Sequence, residues 1–228
     1  GQTLMIDSNG DKSMTDNEIP IDIDHAKHSV GGLGGHFFRR FTHVFMAIVP
    51  ILYFIKGENL ADFFSLTPNE LVTFACLSLV FLEMIRLYFG IIIIGQREYE
   101  AKQISALAWG AFAVCLALLL SPGSDSSEGM KSGLYAAPLI WGLTFVDPIM
   151  GEIKRSKRGL KAAILGGLAV SYMIWFGSSY FLGTPFLASL ILAPLTVLGE
   201  LPSVKWIDDN ATMVLLPLIA LLILESFF

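Results

Sequence analysis

Charge is what this sequence has least of. Asp, Glu, Lys and Arg together make up 15% of the 228 residues, against 54% hydrophobic residues and a mean hydropathy of +0.64. A soluble domain carries about 25% charge. A globule of this length cannot hide so much apolar surface, so lipid is the natural solvent for the excess. Cysteine is nearly absent. Cys76 and Cys115 both lie in apolar runs, which excludes a disulfide framework or a cysteine metal site and marks them as small core residues. No phosphate-binding loop of the Walker type and no soluble-kinase catalytic loop is present. No period of 20–50 residues repeats, and no inverted duplication of the transporter type is visible. Residues 1–35 have no apolar core of the kind a cleavable signal needs.

What is there is a series of apolar segments. They fall at 41–55, 71–95, 103–120, 134–150, 162–182, 184–199 and 211–228. Each approaches the ~20 residues that cross a hydrocarbon core. Helices are the form that satisfies the backbone in lipid, and the alternation of a barrel strand is missing. The expected fold is therefore all-α, a polytopic transmembrane helical bundle of about seven spans. Gly183-Thr184-Pro185 is the only break between the fifth and sixth segments, so six spans is the fallback. Residues 1–35 are expected to be a flexible polar tail, with Asp7-Ser8-Asn9-Gly10-Asp11 too incomplete for a calcium loop. Residues 36–228 would form the membrane domain.

Lysine and arginine set the orientation. Arg39, Arg40, Arg97, Lys102, Lys154, Arg155, Lys157, Arg158, Lys161 and Lys205 fall on one side, ten residues against Lys56 and Lys131 on the other. This bias predicts a cytoplasmic N-terminus. Glu58, Asp62, Glu70, Asp125 and Glu128 fall on the outer side.

Ionisable groups inside apolar segments cost about 2.5–3.5 kcal/mol each on insertion scales and need a partner or a purpose. Glu83 and Arg86 share a helix face. They form either a structural ion pair or the wall of a polar cavity reaching inward, a cavity to which Glu200 would also belong. Asp147 ends the fourth segment at Asp147-Pro148, just before the run Lys154–Lys161, and Pro148 and Gly151 loosen the helix there. A carboxylate beside a cluster of cations suits a magnesium–polyphosphate site. Asp208, Asp209 and Asn210 precede the last segment. One of them suffices to cap a helix; two carboxylates and an amide also make an oxygen-ligand set for magnesium. His43 lies one turn after Arg39. Glu100, unlike Glu98, has no evident local partner in the sequence.

Four pieces in order resemble the polyprenol kinase family: the dolichol kinases, phytol kinases and CTP-dependent diacylglycerol kinases, relatives of the phosphatidate cytidylyltransferases. They are Arg39-Arg40-Phe41-Thr42-His43; Glu100 to Ser105, leading to Trp109; Asp147-Pro148 with the following glycine and basic loop; and Glu200-Leu201-Pro202 through Asp208-Asp209-Asn210 to Pro217. The sequence departs from the family in its early Gly151 and in Lys161–Gly167, a loose version of the usual lysine–glycine stretch.

The resemblance implies a lipid-alcohol kinase that takes a phosphoryl group from CTP or another nucleoside triphosphate. The acceptor would be an isoprenoid alcohol or a diacylglycerol-type lipid at the cytoplasmic face. Asp147, Glu100 and His43 would be catalytic. Lys154, Arg155, Lys157, Arg158, Lys161 and Arg39 would bind nucleotide. Asp147, Asp208, Asp209 and Asn210 would hold Mg2+. No nucleic-acid partner is expected. A CTP-dependent cytidylyltransferase making a CDP-lipid is the related alternative. A small membrane transporter, with Glu83 and Arg86 marking its path, is the alternative of another class.

Overall fold

A computed structural model describes residues 32–94, 96, 98–124, 126–156, 158–202 and 206–228. Among these every long element is a helix: α1 (Gly32–Phe45), α2 (Ile48–Phe63), α3 (Pro68–Phe89), α4 (Ala106–Leu120), α5 (Ala136–Arg155), α6 (Gly159–Leu182), α7 (Phe186–Glu200) and α8 (Asp209–Leu224). Short 3-10 turns occupy Glu98–Ala101, Ser126–Gly133 and Glu225–Phe227. Of the expected tail 1–35, residues 1–31, with the incomplete calcium-like loop, lie outside the described residues, and residues 32–35 belong to α1.

Each of the seven apolar segments contains a helix, with two departures from the expected outline. The first segment is not one rod. α1 begins at Gly32, ahead of the apolar run, and the chain bends by 42° between α1 and α2. Met46 and Ala47 form the break, where backbone bonds tighten to three-residue spacing. The second departure is length. α3, α6 and α8 are long and apolar enough to cross a membrane, and the bent α1–α2 pair makes a fourth candidate span. α4 and α7 have 15 residues each, about 22 Å of helix. α5 has 20 residues but carries Asp147, Glu152, Lys154 and Arg155 in its second half.

α5 is the centre of the bundle. Leu139, Ile140, Leu143, Val146 and Met150 are all fully buried. They meet Leu192, Ala193 and Val197 of α7 and Met213, Val214 and Leu218 of α8 in one core, which also includes Cys76 and Cys115, both free. The outer helices are apolar outward as well: Phe74, Leu77, Phe81 and Leu82 of α3 and Leu165, Met173 and Phe181 of α6 are exposed. Such continuous apolar surface marks contact with lipid rather than water.

α6 and α7 form an antiparallel hairpin. Ser171 Oγ donates to Ala193 O at 2.7 Å, and Ser189 Oγ donates to Trp175 O at 3.0 Å. Gly183 closes α6 with φ +84, a left-handed conformation glycine adopts without a Cβ penalty. Two separate helices, not one broken segment, therefore fill 162–199. At the far end of α7, Gly199 lets α8 cross closely. A Cβ there would stand 2.5 Å from the Thr212 carbonyl oxygen and 2.6 Å from Met213 Cα. That crossing brings the end of α7 against the start of α8, and with it Glu200 beside Asp209.

Candidate functional site

The polar residues of α1, α5, α7 and α8 converge at one end of the bundle. Asp147 on α5, Glu200 at the end of α7 and Asp209 at the start of α8 each place a carboxylate oxygen within 4.8 Å of the other two. Glu200 is 8% exposed. Its Oε1 accepts from Lys154 Nζ at 2.7 Å, while its Oε2 is buried with no hydrogen-bond partner among the described residues. A buried carboxylate oxygen left unsatisfied costs about 1–3 kcal/mol or more. A cation is the natural remedy where three carboxylates meet. Two oxygens on opposite sides of one Mg2+ stand about 4.2 Å apart, close to the span of this cluster. An all-oxygen donor set fits a hard divalent ion and not a soft one.

His43 connects the cluster to α1. Its Nε2 lies 3.1 Å from Leu143 O and 3.3 Å from Asp147 Oδ2. A proton on Nε2 serves both acceptors, and Nδ1 then keeps a lone pair. Local chemistry on α5 favours this contact. Pro148 deprives Thr144 O of its helical donor, so the helix is loosened one residue after Leu143. Cations surround the carboxylates. Arg39, Arg40 and Lys154 are the positive charges whose fields reach Asp147. Arg40 also pairs with Glu152 at 2.7 Å.

The three residues at the start of α8 separate into distinct roles. Asp208 caps the helix, accepting from Asn210 N at 3.1 Å. Burial, with the charge and hydrogen bond of Asp209 beside it, pushes the Asp208 carboxyl up to about 7. Asn210 is buried, and its Nδ2 donates to Ala106 O at 3.2 Å, tying α8 to α4. Asp209 is the one that joins the cluster. Glu200, read from the sequence as a cavity residue, takes the place beside Asp147 and Asp209 that the sequence offered to Asp208 and Asn210.

Glu100 lines a small cavity together with His43 and Arg39. It is 2% exposed, with Oε1 accepting from Ala106 N at 3.0 Å and lying 4.0 Å from Arg39 Nη1. Glu83 and Arg86 have structural partners. Arg86 donates Nε and Nη2 to the two oxygens of Glu83, and also reaches the carbonyls of Ile91, Glu100 and Gln103. The Glu83 carboxylate in turn accepts from Ser105 N at 2.7 Å. The pair thereby fixes the connection from α3 to α4 and positions Glu100. Arg155, Arg158 and Lys161 are exposed around the α5–α6 turn, with Arg155 3.6 Å from Glu152. Lys157 lies outside the described residues, as do Arg97, Asp125 and Lys205.

The arrangement sets three carboxylates, of a type that suits a hard divalent cation, among guanidinium and ammonium groups with an oriented imidazole nearby. The Glu152–Arg40 pair was not singled out by sequence reasoning, although Glu152 stands in plain view one turn after Pro148. No family model, no curated protein and no solved structure matches the chain.

Proposed function

We propose that this chain is a membrane-embedded lipid-alcohol kinase, resembling the polyprenol kinase family. It would transfer the γ-phosphoryl group of CTP or another nucleoside triphosphate to the hydroxyl of an isoprenoid alcohol or diacylglycerol-type lipid. In this reading the helices make seven spans with the N-terminus in the cytoplasm, and the site faces the cytoplasm. The sidedness of lysine and arginine, ten residues against two, supports that orientation.

The observation that carries the proposal is the convergence of the Asp147–Glu200–Asp209 carboxylates with His43, Lys154, Arg39 and Arg40 at one end of the bundle. Phosphoryl transfer asks little covalent work of a protein; positioning and neutralisation of charge dominate. Asp147, Glu200 and Asp209 would hold magnesium, which supplies charge neutralisation at the phosphates. Lys154, with the exposed Arg155, Arg158 and Lys161 at the rim, would steady the departing nucleotide. Lys154 is held ready by Glu200. In the transfer, a bond forms between the lipid oxygen and the γ-phosphorus. The bond to the β,γ-bridging oxygen breaks, its electron pair leaves with the nucleoside diphosphate, and the hydroxyl proton passes to the imidazole of His43. Asp147 orients that imidazole and stabilises its protonated form.

The test is lipid monophosphate formation in membranes supplied with nucleoside triphosphate, magnesium and candidate lipid alcohols. Asp147→Asn and Asp209→Asn are each expected to lower the rate by at least about 100-fold, the scale of losing one preorganised charge contact. Near wild-type rates in either variant would refute the assignment.

A further inference from the structure

Lys154 stands two turns after Asp147 on the same face of α5, and its Nζ donates to Glu200 Oε1 at 2.7 Å. The two partners differ in freedom. The Glu200 side chain is 5% exposed, whereas that of Lys154 is 38% exposed. Glu200 is also fixed by the close crossing of α7 and α8 at Gly199. A lysine ammonium is a point charge on a flexible four-carbon stem, so Lys154 can leave and Glu200 cannot follow. The pair is incomplete as well. One ammonium meets one carboxylate oxygen, while Glu200 Oε2 stays buried without a partner. Asp147 and Asp209 bring two more carboxylates within 4.8 Å. The guanidinium groups nearby have other carboxylates: Arg39 lies 4.0 Å from Glu100, and Arg40 pairs with Glu152 at 2.7 Å. A divalent cation would serve the orphaned oxygen and all three carboxylates, which Lys154 does not.

Resting on the kinase reading above, we propose that Lys154 is an exchangeable counter-ion of the carboxylate cluster. Without metal it fills part of the cation site. Occupation of the cluster by a divalent cation takes Glu200 away from Lys154. The freed ammonium then turns toward the rim, where Arg158 and Lys161 are exposed, and meets phosphate oxygens there. One contact thus has two effects: Lys154 competes with the metal, and it binds phosphate only once the metal is in place. The site thereby favours a metal-bearing polyphosphate over a bare one, which meets a rim with one cation withheld.

Manganese and inorganic pyrophosphate are the probes, and neither requires turnover. Lys154→Met is expected to tighten manganese binding about tenfold or more, within the range of coupling between linked sites. Arg40→Met removes an equal charge whose field also reaches Asp147, but one that does not hold Glu200, and should have a much smaller effect. Lys154→Met should weaken pyrophosphate binding about tenfold with manganese present and leave it unchanged without manganese. A measurement on the wild-type protein does not depend on how a variant folds. Acylation of Lys154 by an amine-reactive reagent, read by mass spectrometry against the exposed Lys161, should quicken with manganese and slow again with pyrophosphate. Four results would each overturn the exchange: unchanged manganese affinity in Lys154→Met, a change matched by Arg40→Met, an equal loss of pyrophosphate affinity with and without manganese, or acylation of Lys154 indifferent to manganese. If lipid is phosphorylated in any of these cases, the kinase reading survives. If the exchange is seen but no lipid is phosphorylated, the kinase reading fails and the exchange stands.

Discussion

At the scale of single residues, the proposed site depends on which carboxylates stand together and which only cap a helix. Asp208 and Asp209 are adjacent and identical in type, and both accept from Asn210 N, at 3.1 and 3.0 Å, yet only Asp209 also faces Asp147 and Glu200. Their substitutions should therefore differ. Asparagine caps as well as aspartate, so Asp208→Asn is expected to leave divalent-ion binding unchanged. Glu200→Gln removes a ligand charge and also releases Lys154. It is expected to weaken binding of manganese, a paramagnetic stand-in for magnesium, by about 10–100-fold, the range in which even outer-shell partners of a metal act. Manganese titration of the purified protein by electron paramagnetic resonance measures both. Equal losses in the two variants would contradict the division of roles. The sequence made Asp147 and Asp209 legible because both stand at the edges of apolar runs, where a charge is conspicuous. Glu200 carries the same sign, but its role comes from the close α7–α8 crossing at Gly199. A contact between helices leaves no mark in spacing along the chain.

Elements position these residues through a few cross-helix ties. The start of α4 is held from three directions: by Glu83 of α3, by Glu100 of the preceding connection and by Asn210 of α8. Arg86 closes the system by binding three backbone carbonyls. Removing one partner of such a buried pair leaves the other uncompensated and costs about 3–5 kcal/mol. Arg86→Met is accordingly expected to lower the thermal midpoint in detergent sharply. Arg86→Lys should recover part of it, since it keeps the charge without the planar fork. A midpoint within a degree of wild type for Arg86→Met would show that these bonds do not hold the connection. The pairing of Glu83 with Arg86 was readable from their spacing of three residues. The carbonyls were not, because backbone acceptors have no residue code. The break at Met46–Ala47 was hidden for a related reason. Hydrophobicity runs unbroken across it, so composition alone describes one segment where the backbone makes two helices.

For the molecule as a whole, the apolar exterior and the polar end follow from one distribution of residues. Apolar side chains cover α3 and α6 outward as well as the α5-centred core, which is why composition alone pointed to a bundle in lipid. Most of the charge is left to one end of the bundle, which gathers Arg39, Arg40, Lys154 and the three carboxylates; in the proposed reading a highly charged substrate would be met there beside the membrane. The 15-residue α4 and α7 place their polar ends within the bundle rather than beyond it; the shortness of α7 is already visible in its segment 184–199, while that of α4 was blurred because the segment 103–120 starts ahead of the helix. The central claim is that this end transfers a phosphoryl group to lipid, and the fate of the label from CTP tests it most directly. CTP labelled at the γ-phosphate and CTP labelled at the α-phosphate are supplied separately to membranes containing the protein, magnesium and a long-chain alcohol. The γ-label is predicted to appear in lipid and the α-label to remain in water-soluble nucleotide, with the transfer lost in Asp209→Asn. Entry of the α-label into lipid, or of neither label, would contradict it.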